Sequence, residues 1–285
     1  MYVKHVLKVV SIVFLLDFSN AWKQFNSLRI KFGFDITVAY YDIPTTTNSS
    51  LMKEYLKVQP ERDFKFQMDF YCYKEDPRVC FMYDKVGNIA GCQISMLKED
   101  LQNVRPEYYN YSAINNYVQT NFLNTPAYSQ RTYFTNPEIL TEAGRQNTEE
   151  IAEGLWTYLE GKLVQIRREK PEQEIFEHFY RQGCILGMGS HYFYKINPTA
   201  SCDNNFPLFS LYDEESLVGY GMTFVGYGSH GPDRGWYEHP VKEAMLLITP
   251  DFPECLYNLA VMYGTTMVHV FLVENPWNIY CDIWE

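Results

Sequence analysis

The residues whose types and spacing best suit chemistry lie in the stretch Gly226–Pro240. Four glycines and two prolines oppose a helix here, because glycine is costly to order and proline lacks a backbone donor. We therefore predict a shaped loop between two strands. Its reactive side chains are Ser229, His230, Asp233, Arg234, Glu238 and His239.

A serine nucleophile is the first chemistry that this loop suggests. The hydrolase alternative would use Ser229, His230, Asp233 and His239. A nucleophile elbow needs glycines two residues before and two residues after its serine. Gly231 meets the second requirement, but Tyr227 occupies the first position. The pattern favours an ordinary Gly-Ser turn over an elbow.

Metal binding is the second chemistry. The alternative ligands are His191, His230 and His239, with Glu238 and His269 as further donors. Imidazoles on neighbouring strands suit zinc or copper. None of these residues has the His-x-x-x-His spacing of a helical site, so the sequence does not show that they converge. We expect no cofactor and no metal.

Aromatic side chains suggest recognition instead. The chain has 24 Tyr, 19 Phe and 5 Trp, and such rings provide large contact areas at low entropic cost. The loop offers little to cover Trp236 and Tyr237, so we expect both to be exposed. Together with Arg234 they form the predicted binding surface, and an extracellular protein or glycan is the expected ligand.

The first half of the chain reads as strands that flank a polar connector. Leu28–Tyr40 alternates apolar and polar residues, which predicts one long strand or two strands bent at Gly33. Phe64–Cys72 alternates in the same way, and Arg78–Tyr83 with Ile89–Leu97 predicts a hairpin. Residues 98–146 show no sustained period and read as an irregular connector, where the chain would subdivide if it holds two units.

Two helices are predicted in the middle of the chain. Leu155, Leu159 and Leu163 recur at helical spacing after a cap pair at Asn147, so a long amphipathic helix is expected over Asn147–Lys170. Pro171 would end it and open a shorter second helix. That helix would carry Ile175, Phe176, Phe179 and Tyr180 on one side, with Gly183 beyond its end.

The last third returns to strands. Predicted strands are Cys184–Lys195, Leu208–Tyr212, Leu217–Tyr227, Ala244–Thr249 and Thr265–Glu274, with a short helix at Pro253–Met262. The helices and strands do not alternate in the rhythm of a parallel sheet. We therefore predict an α+β fold, largely antiparallel, in a single domain over residues 22–285.

Residues 1–21 have the pattern of a secretory signal peptide. A basic start is followed by a short apolar run and by Ser19-Asn20-Ala21, a small-residue cleavage site. The run is far shorter than the ~20 residues that span a bilayer, so we expect a secreted, extracellular protein with no transmembrane segment. The net charge of −11 and the lack of a basic stripe argue against nucleic-acid binding.

Cysteines and sequons fit export. The seven cysteines are Cys72, Cys80, Cys92, Cys184, Cys202, Cys255 and Cys281, and the expected local disulfides join Cys184 with Cys202 and Cys255 with Cys281. Cys80 and Cys92, on the two arms of the predicted hairpin, are a feasible cross-strand pair. The odd cysteine leaves one thiol free or bonded to a second chain as a dimer. Asn48 and Asn110 are predicted glycosylation sites.

These patterns favour a secreted, disulfide-stabilised binding protein over an enzyme. Saliva, venom, another body fluid and extracellular matrix all suit such a protein. Nucleotide, phosphate, zinc-protease and calcium motifs are absent from the sequence. One alternative is a hydrolase or metal-dependent enzyme that uses the Gly226–Pro240 stretch. A second is a membrane-active toxin, for which the predicted helix over Asn147–Lys170 is the one long amphipathic segment.

Overall fold

Two antiparallel β-sheets make up most of the chain. The computed structural model describes residues 23–281 apart from 34, 36, 171–174, 177 and 203–207. Its strands are β1 Arg29–Lys31, β2 Tyr40–Asp42, β3 Tyr55–Val58, β4 Met68–Tyr73, β5 Val79–Asp84, β6 Ile89–Leu97, β7 Val118–Phe122, β8 Thr125–Tyr133, β9 Leu155–Leu159, β10 Lys162–Ile166, β11 Ile175–Phe176, β12 Phe179–Ile185, β13 Gly189–Tyr194, β14 Leu208–Asp213, β15 Ser216–Val225 and β16 Thr265–Phe271.

Each sheet has eight strands. The first runs in the order β11-β12-β13-β14-β15-β16-β1-β2, and the second in the order β10-β9-β8-β6-β5-β4-β3, with β7 paired to β8. The N-terminal strand β1 thus lies beside the late strand β16, far from its sequence neighbours in the second sheet. This long-range pairing brings residues from both ends of the chain onto one sheet.

The main core lies between the two sheets. One cluster of buried apolar side chains draws on both sheets, and ring pairs such as Tyr117 with Phe224 cross between them. Every residue of β6 and of β15 is buried. A second apolar cluster, which includes Phe70 and Phe122, covers the outer face of the second sheet. Strands covered on both faces lose the alternation typical of half-buried strands.

The predicted α+β fold is wrong, because the long amphipathic helix does not exist. Residues 155–166 of this segment form the hairpin β9–β10, in which Leu155, Thr157 and Leu159 are buried and Trp156 alternates with them. The turn residues Glu160 and Gly161 both have positive φ, 52° and 78°, as a tight hairpin turn requires. The leucine spacing of four fits a helix, but it also fits a strand, because four is a multiple of two.

The predicted second helix is also wrong over its described part. Ile175–Phe176 is β11 and Phe179–Ile185 is β12, joined at His178, whose φ is 71°. Pro171 lies outside the described residues. The connector predicted over residues 98–146 contains β7 and β8, which turn at Leu123 and Asn124, again with positive φ.

Two short α-helices follow the first-sheet strand β15. The first, α1, spans Lys242–Ile248 and replaces the strand predicted over Ala244–Thr249. The second, α2, spans Glu254–Tyr263 and ends at Gly264, which confirms the short helix predicted there. Within the described residues, no helix combines the length and the apolar character needed to span a bilayer.

Several strand predictions are confirmed. Arg78–Tyr83 and Ile89–Leu97 correspond to the hairpin β5–β6, and Thr265–Glu274 contains β16. The alternating segment Leu28–Tyr40 is split into β1 and the start of β2, which pair with each other. Two strands are present, as the second alternative predicted, but the predicted one-sided burial is wrong, because Lys31 is fully buried and Val38 is 71% exposed.

Three disulfide bonds join described cysteines, with pairings that differ from those predicted. Cys184 bonds to Cys281 and Cys202 bonds to Cys255, so both predicted local pairs are wrong. Cys72 bonds to Cys80 across β4 and β5. The feasible pair of Cys80 with Cys92 is therefore not formed. Cys92 is a free thiol with no solvent exposure, and burial raises its pKa to about 12. A thiol in this position does not support a disulfide-linked dimer.

Candidate functional site

The 226–240 loop, which carries most of the predicted site residues, connects β15 of the first sheet to α1 and contacts the second sheet. Ser229 accepts two hydrogen bonds from Arg78, at 2.7 Å to its carbonyl oxygen and 2.7 Å to its Oγ. Its backbone N–H donates to Asp100 at 3.0 Å. The hydroxyl that the hydrolase alternative would use is thus hydrogen-bonded to the guanidinium of Arg78, which directly precedes β5.

The prediction that Trp236 and Tyr237 are exposed is wrong. Their exposed fractions are 0% and 1%. The indole Nε1 of Trp236 donates to Asp76 at 2.9 Å, and the hydroxyl of Tyr237 donates to the carbonyl of Ser95. Aromatic rings with a polar end are readily buried when that end finds a partner. The turn between β4 and β5 supplies Asp76, and β6 supplies Ser95.

Arg234 lies against the same aromatic group. Its guanidinium carbon is 3.6 Å from the ring centre of Tyr73 and 4.6 Å from that of Tyr41, and Nη1 donates to the hydroxyl of Tyr55 at 3.0 Å. These cation–π contacts hold the loop in place. The positive charge of Arg234, which was predicted to contact a ligand, therefore already has partners within the protein.

The other loop residues do not assemble a catalytic set with Ser229. Asp233 forms a surface ion pair with Lys74 at 3.0 Å. His239 stacks on Tyr227, and its Nε2 lies 2.9 Å from the carbonyl oxygen of Gly228. Burial lowers the pKa of His239. The hydrolase arrangement therefore lacks a hydrogen bond between serine and histidine.

The loop ends in a buried charge cluster on the first sheet. Glu238 forms an isolated bridge with Met267 of β16 and is 5% exposed. Its Oε1 lies 2.6 Å from Nζ of Lys31, a lysine with no solvent exposure. The β1–β16 register places Lys31 opposite His269. A short N-terminal strand thus supplies a buried cation to a loop more than 200 positions later in the chain.

Two histidines complete this cluster. Nδ1 of His269 is 2.5 Å from Oε2 of Glu238, and Nε2 of His269 is 3.4 Å from Nε2 of His191. Nδ1 of His191 lies 3.1 Å from the carbonyl oxygens of both Gly183 and Gly189. Lys31, Glu238, His269 and His191 therefore form a continuous buried chain of polar contacts, which we call the charge cluster.

The charges of the cluster shift its pKa values. Burial alone would raise the pKa of Glu238, but the contacts with His269 and Lys31 lower it below the ordinary glutamate value. Burial and the neighbouring His269 lower the pKa of His191 to about 3. Glu238 is thus ionised and His191 neutral near pH 7.

A glycine allows the two imidazoles to meet across the sheet. Gly221 of β15 pairs with His269 on one side and with Phe209 on the other. A Cβ atom at Gly221 would lie 2.2 Å from Cζ of Phe209, so any side chain here would displace that ring. The ring centre of Phe209 instead lies 5.1 Å from that of His269 and 5.3 Å from that of His191, so this ring packs against both imidazoles.

A cleft opens over the charge cluster, between α1 and the first sheet. Its volume is about 210 Å³. Its walls are the apolar residues Ile185, Met188, Pro240, Ala244, Leu247, Ile248 and Met267, and Glu238 and His269 supply its polar surface. Leu247 is 71% exposed, so the cleft is open at an apolar mouth.

The histidines proposed as metal ligands separate into two pairs. His191 meets His269 in the charge cluster, whereas His230 lies beside His239 in the loop, with ring centres 5.1 Å apart. No group of three or more His, Cys, Asp and Glu residues in the described chain is arranged to hold a metal ion. The predicted set His191, His230 and His239 therefore does not form one centre.

Sequence reasoning missed Lys31 and the cleft. Lys31 stands on the polar side of the alternating segment Leu28–Tyr40, which indicates a solvated face. Its face is covered by Glu238 and the loop instead. A local pattern cannot reveal that cover, because it comes from a segment distant in sequence. Comparison of the chain with protein-family models, curated protein sequences and solved structures found no match.

Proposed function

We propose that the protein is an exported, disulfide-stabilised binding protein that holds a small, largely apolar molecule in the cleft beneath α1. The observation that carries this proposal is the cleft itself, with its apolar walls over Glu238 and His269. Pockets with apolar walls and a few polar groups are the usual form of small-molecule sites.

The size and chemistry of the cleft limit the class of ligand that it can bind. At about 210 Å³ it is below the ~300 Å³ at which drug-sized pockets begin, so the ligand is small. The oxygens of Glu238 are bonded to Lys31 and His269. The cleft therefore has little polar capacity left for a sugar, and shape and apolar contact select the ligand. Met188 and Met267 give the walls adaptable side chains.

Export would account for the disulfide bonds and the predicted glycosylation sites. Three disulfides suit an oxidising compartment, and residues 1–21, outside the described residues, carry the signal-peptide pattern. Asn48 and Asn110 are exposed, as attached glycans require. The toxin alternative has lost its amphipathic helix, and the hydrolase alternative lacks a serine–histidine hydrogen bond.

Filling the cleft tests the proposal. Ala244→Trp places an indole in the cleft, and the matched control Leu246→Trp places one on the exposed side of the same helix. With free indole as the probe, saturation-transfer NMR is expected to show binding to the wild type and to the control, and none to Ala244→Trp. Equal signals from all three proteins, or no signal from any, would overturn the proposed site.

A second experiment with glycans distinguishes an apolar ligand from a sugar ligand. Oligomers of N-acetylglucosamine, tested in the same way, are expected to give no signal that depends on Ala244. A sugar signal lost in Ala244→Trp would replace the apolar ligand with a glycan at this cleft.

A further inference from the structure

We propose that the first N-acetylglucosamine of a glycan on Asn110 packs into a depression beside that residue and fastens the segment between β6 and β7. Asn110 begins the sequon Asn110-Tyr111-Ser112, and its side chain is exposed. The inference rests on export of the chain, which is part of the proposed function. It does not depend on the ligand of the cleft beneath α1.

The depression combines apolar walls with hydrogen-bonding groups. Its volume is about 190 Å³. Its lining includes Asn110 itself, the apolar side chains Leu101 and Val104, and the polar groups of Lys98, Ser112 and Tyr128. A sugar ring presents C–H faces and a rim of oxygens, so such a mixed lining suits it.

The polar groups keep capacity for sugar oxygens. Oγ of Ser112 lies 2.7 Å from the hydroxyl oxygen of Tyr128, and one of the two donates in this contact. The hydrogen of the other hydroxyl therefore remains for a sugar oxygen. Nζ of Lys98 donates to Oε1 of Gln119 at 2.7 Å, which uses one of its three hydrogens.

Tyr128 supplies the aromatic contact. It is half-buried, and its ring stacks on that of Tyr111 with the ring centres 5.1 Å apart. Tyr111 is buried, and its hydroxyl donates to the carbonyl of Val225 at the end of β15. A sugar over Tyr128 would therefore cover the outer part of a stack that links β8 to the first sheet.

Covalent attachment favours this sugar over any free ligand. Oδ1 of Asn110 accepts the backbone N–H of Ser112 at 3.1 Å, which orients the amide whose Nδ2 would carry the glycan. A group on a short link acts at an effective concentration in the millimolar range, so weak contacts suffice. The segment 98–117 has most to gain, because its regular structure is limited to the short 3-10 helices Lys98–Leu101 and Tyr111–Ala113.

Trimming the glycans tests the proposal. The protein is secreted from cells that make only high-mannose glycans, and glycopeptide mass spectrometry is expected to find Asn48 and Asn110 occupied. Endoglycosidase H leaves one N-acetylglucosamine on each, and the trimmed protein should melt at the temperature of the untrimmed one. Asn110→Gln should melt about 2–4 °C lower, the effect of one aromatic contact of ordinary strength. The control Asn48→Gln should melt as the wild type does.

Two tyrosine variants identify the ring that the sugar contacts. Tyr158→Leu is the control, because Tyr158 is a half-buried tyrosine of the same sheet outside the depression. Asn110→Gln should cause no further shift in Tyr128→Leu and the full shift in Tyr158→Leu, since groups in contact couple. Because Tyr128→Leu can fail to fold, the trimmed wild type with ¹³C-labelled sugar gives a second test. Nuclear Overhauser contacts from the first sugar to the ring of Tyr128 are expected.

The experiment separates failure of export from failure of the sugar contact. A chain that is not secreted would contradict the proposed function as well. A secreted chain with no glycan on Asn110 would overturn this inference alone. With Asn110 occupied, the sugar contact would be overturned by equal shifts from Asn110→Gln and Asn48→Gln, by a full Asn110→Gln shift in Tyr128→Leu, or by a sugar without Overhauser contacts to Tyr128.

Discussion

Asp76 and Trp236, 160 positions apart in the chain, are joined by a buried 2.9 Å hydrogen bond from the indole to the carboxylate. The other oxygen of Asp76 lies 2.9 Å from Nη1 of Arg78. Nη2 of the same guanidinium donates to Oγ of Ser229. One carboxylate in the turn between β4 and β5 therefore fixes two points of the 226–240 loop. The loop in turn delivers Glu238 to the first sheet and shapes the cleft.

Asp76→Ala should destabilise the protein strongly. The change leaves the buried guanidinium of Arg78 and the Trp236 N–H without their partner, and breaking a buried ion pair in this way costs about 3–5 kcal/mol. Asp233→Ala is the matched control, because the pair of Asp233 with Lys74 is about 40% exposed and solvent-exposed ion pairs contribute little to stability. Urea unfolding measures both, and equal losses would show that Asp76 does not hold the loop.

Acid should weaken the fold through His191. Its pKa is about 3 in the folded protein against 6.5 for the ordinary residue, so between these values the unfolded chain binds the additional proton and stability falls as pH falls. The loss from pH 7 to pH 5 is about 2 kcal/mol.

His191→Asn removes this titration but retains a polar side chain. Urea unfolding at the two pH values should therefore show a pH dependence smaller by about 2 kcal/mol in the variant, whatever its own stability. An unchanged pH dependence would mean that His191 is not held neutral in the folded protein.

Cysteine pairing shows where sequence reasoning ended. The hairpin β5–β6 follows from local alternation and turn residues, and it was predicted. Which cysteines meet depends on strand order, and Cys184 meets Cys281 because the C-terminal segment returns to the first sheet: Gly187 donates its N–H to the carbonyl of Ile279. No local signal in the sequence records that return.

Peptide mapping without reduction should find Cys184 linked to Cys281 and Cys202 linked to Cys255. Iodoacetamide should leave Cys92 unmodified in the folded protein and modify it after denaturation, because the thiol is fully buried. Electrophoresis of the alkylated protein without reductant is expected to show a monomer. A covalent dimer lost in Cys92→Ser would contradict the buried position of Cys92.

The charge cluster could be predicted only in part. His191, Glu238 and His269 were recognised as candidates from their residue types, but the grouping of His191 with His230 and His239 was wrong. Lys31 was absent from every candidate set. Its burial depends on β1 pairing with β16, a contact between the two ends of the chain that the alternation of β1 does not encode.

The turn between β9 and β10 gives a test in which a hairpin and a helix predict opposite signs. Gly161 has φ +78°, and a Cβ atom there would have no neighbour within 4 Å, so Gly161→Ala acts through the backbone alone. In the hairpin the substitution should cost about 1 kcal/mol, because alanine avoids positive φ. In a helix over Asn147–Lys170 it would stabilise by about 1 kcal/mol. Gly161→Asn is the control, since asparagine tolerates positive φ and should lie closer to the wild type in urea unfolding. An alanine variant more stable than the wild type would restore the helix and remove β9 and β10 from the second sheet.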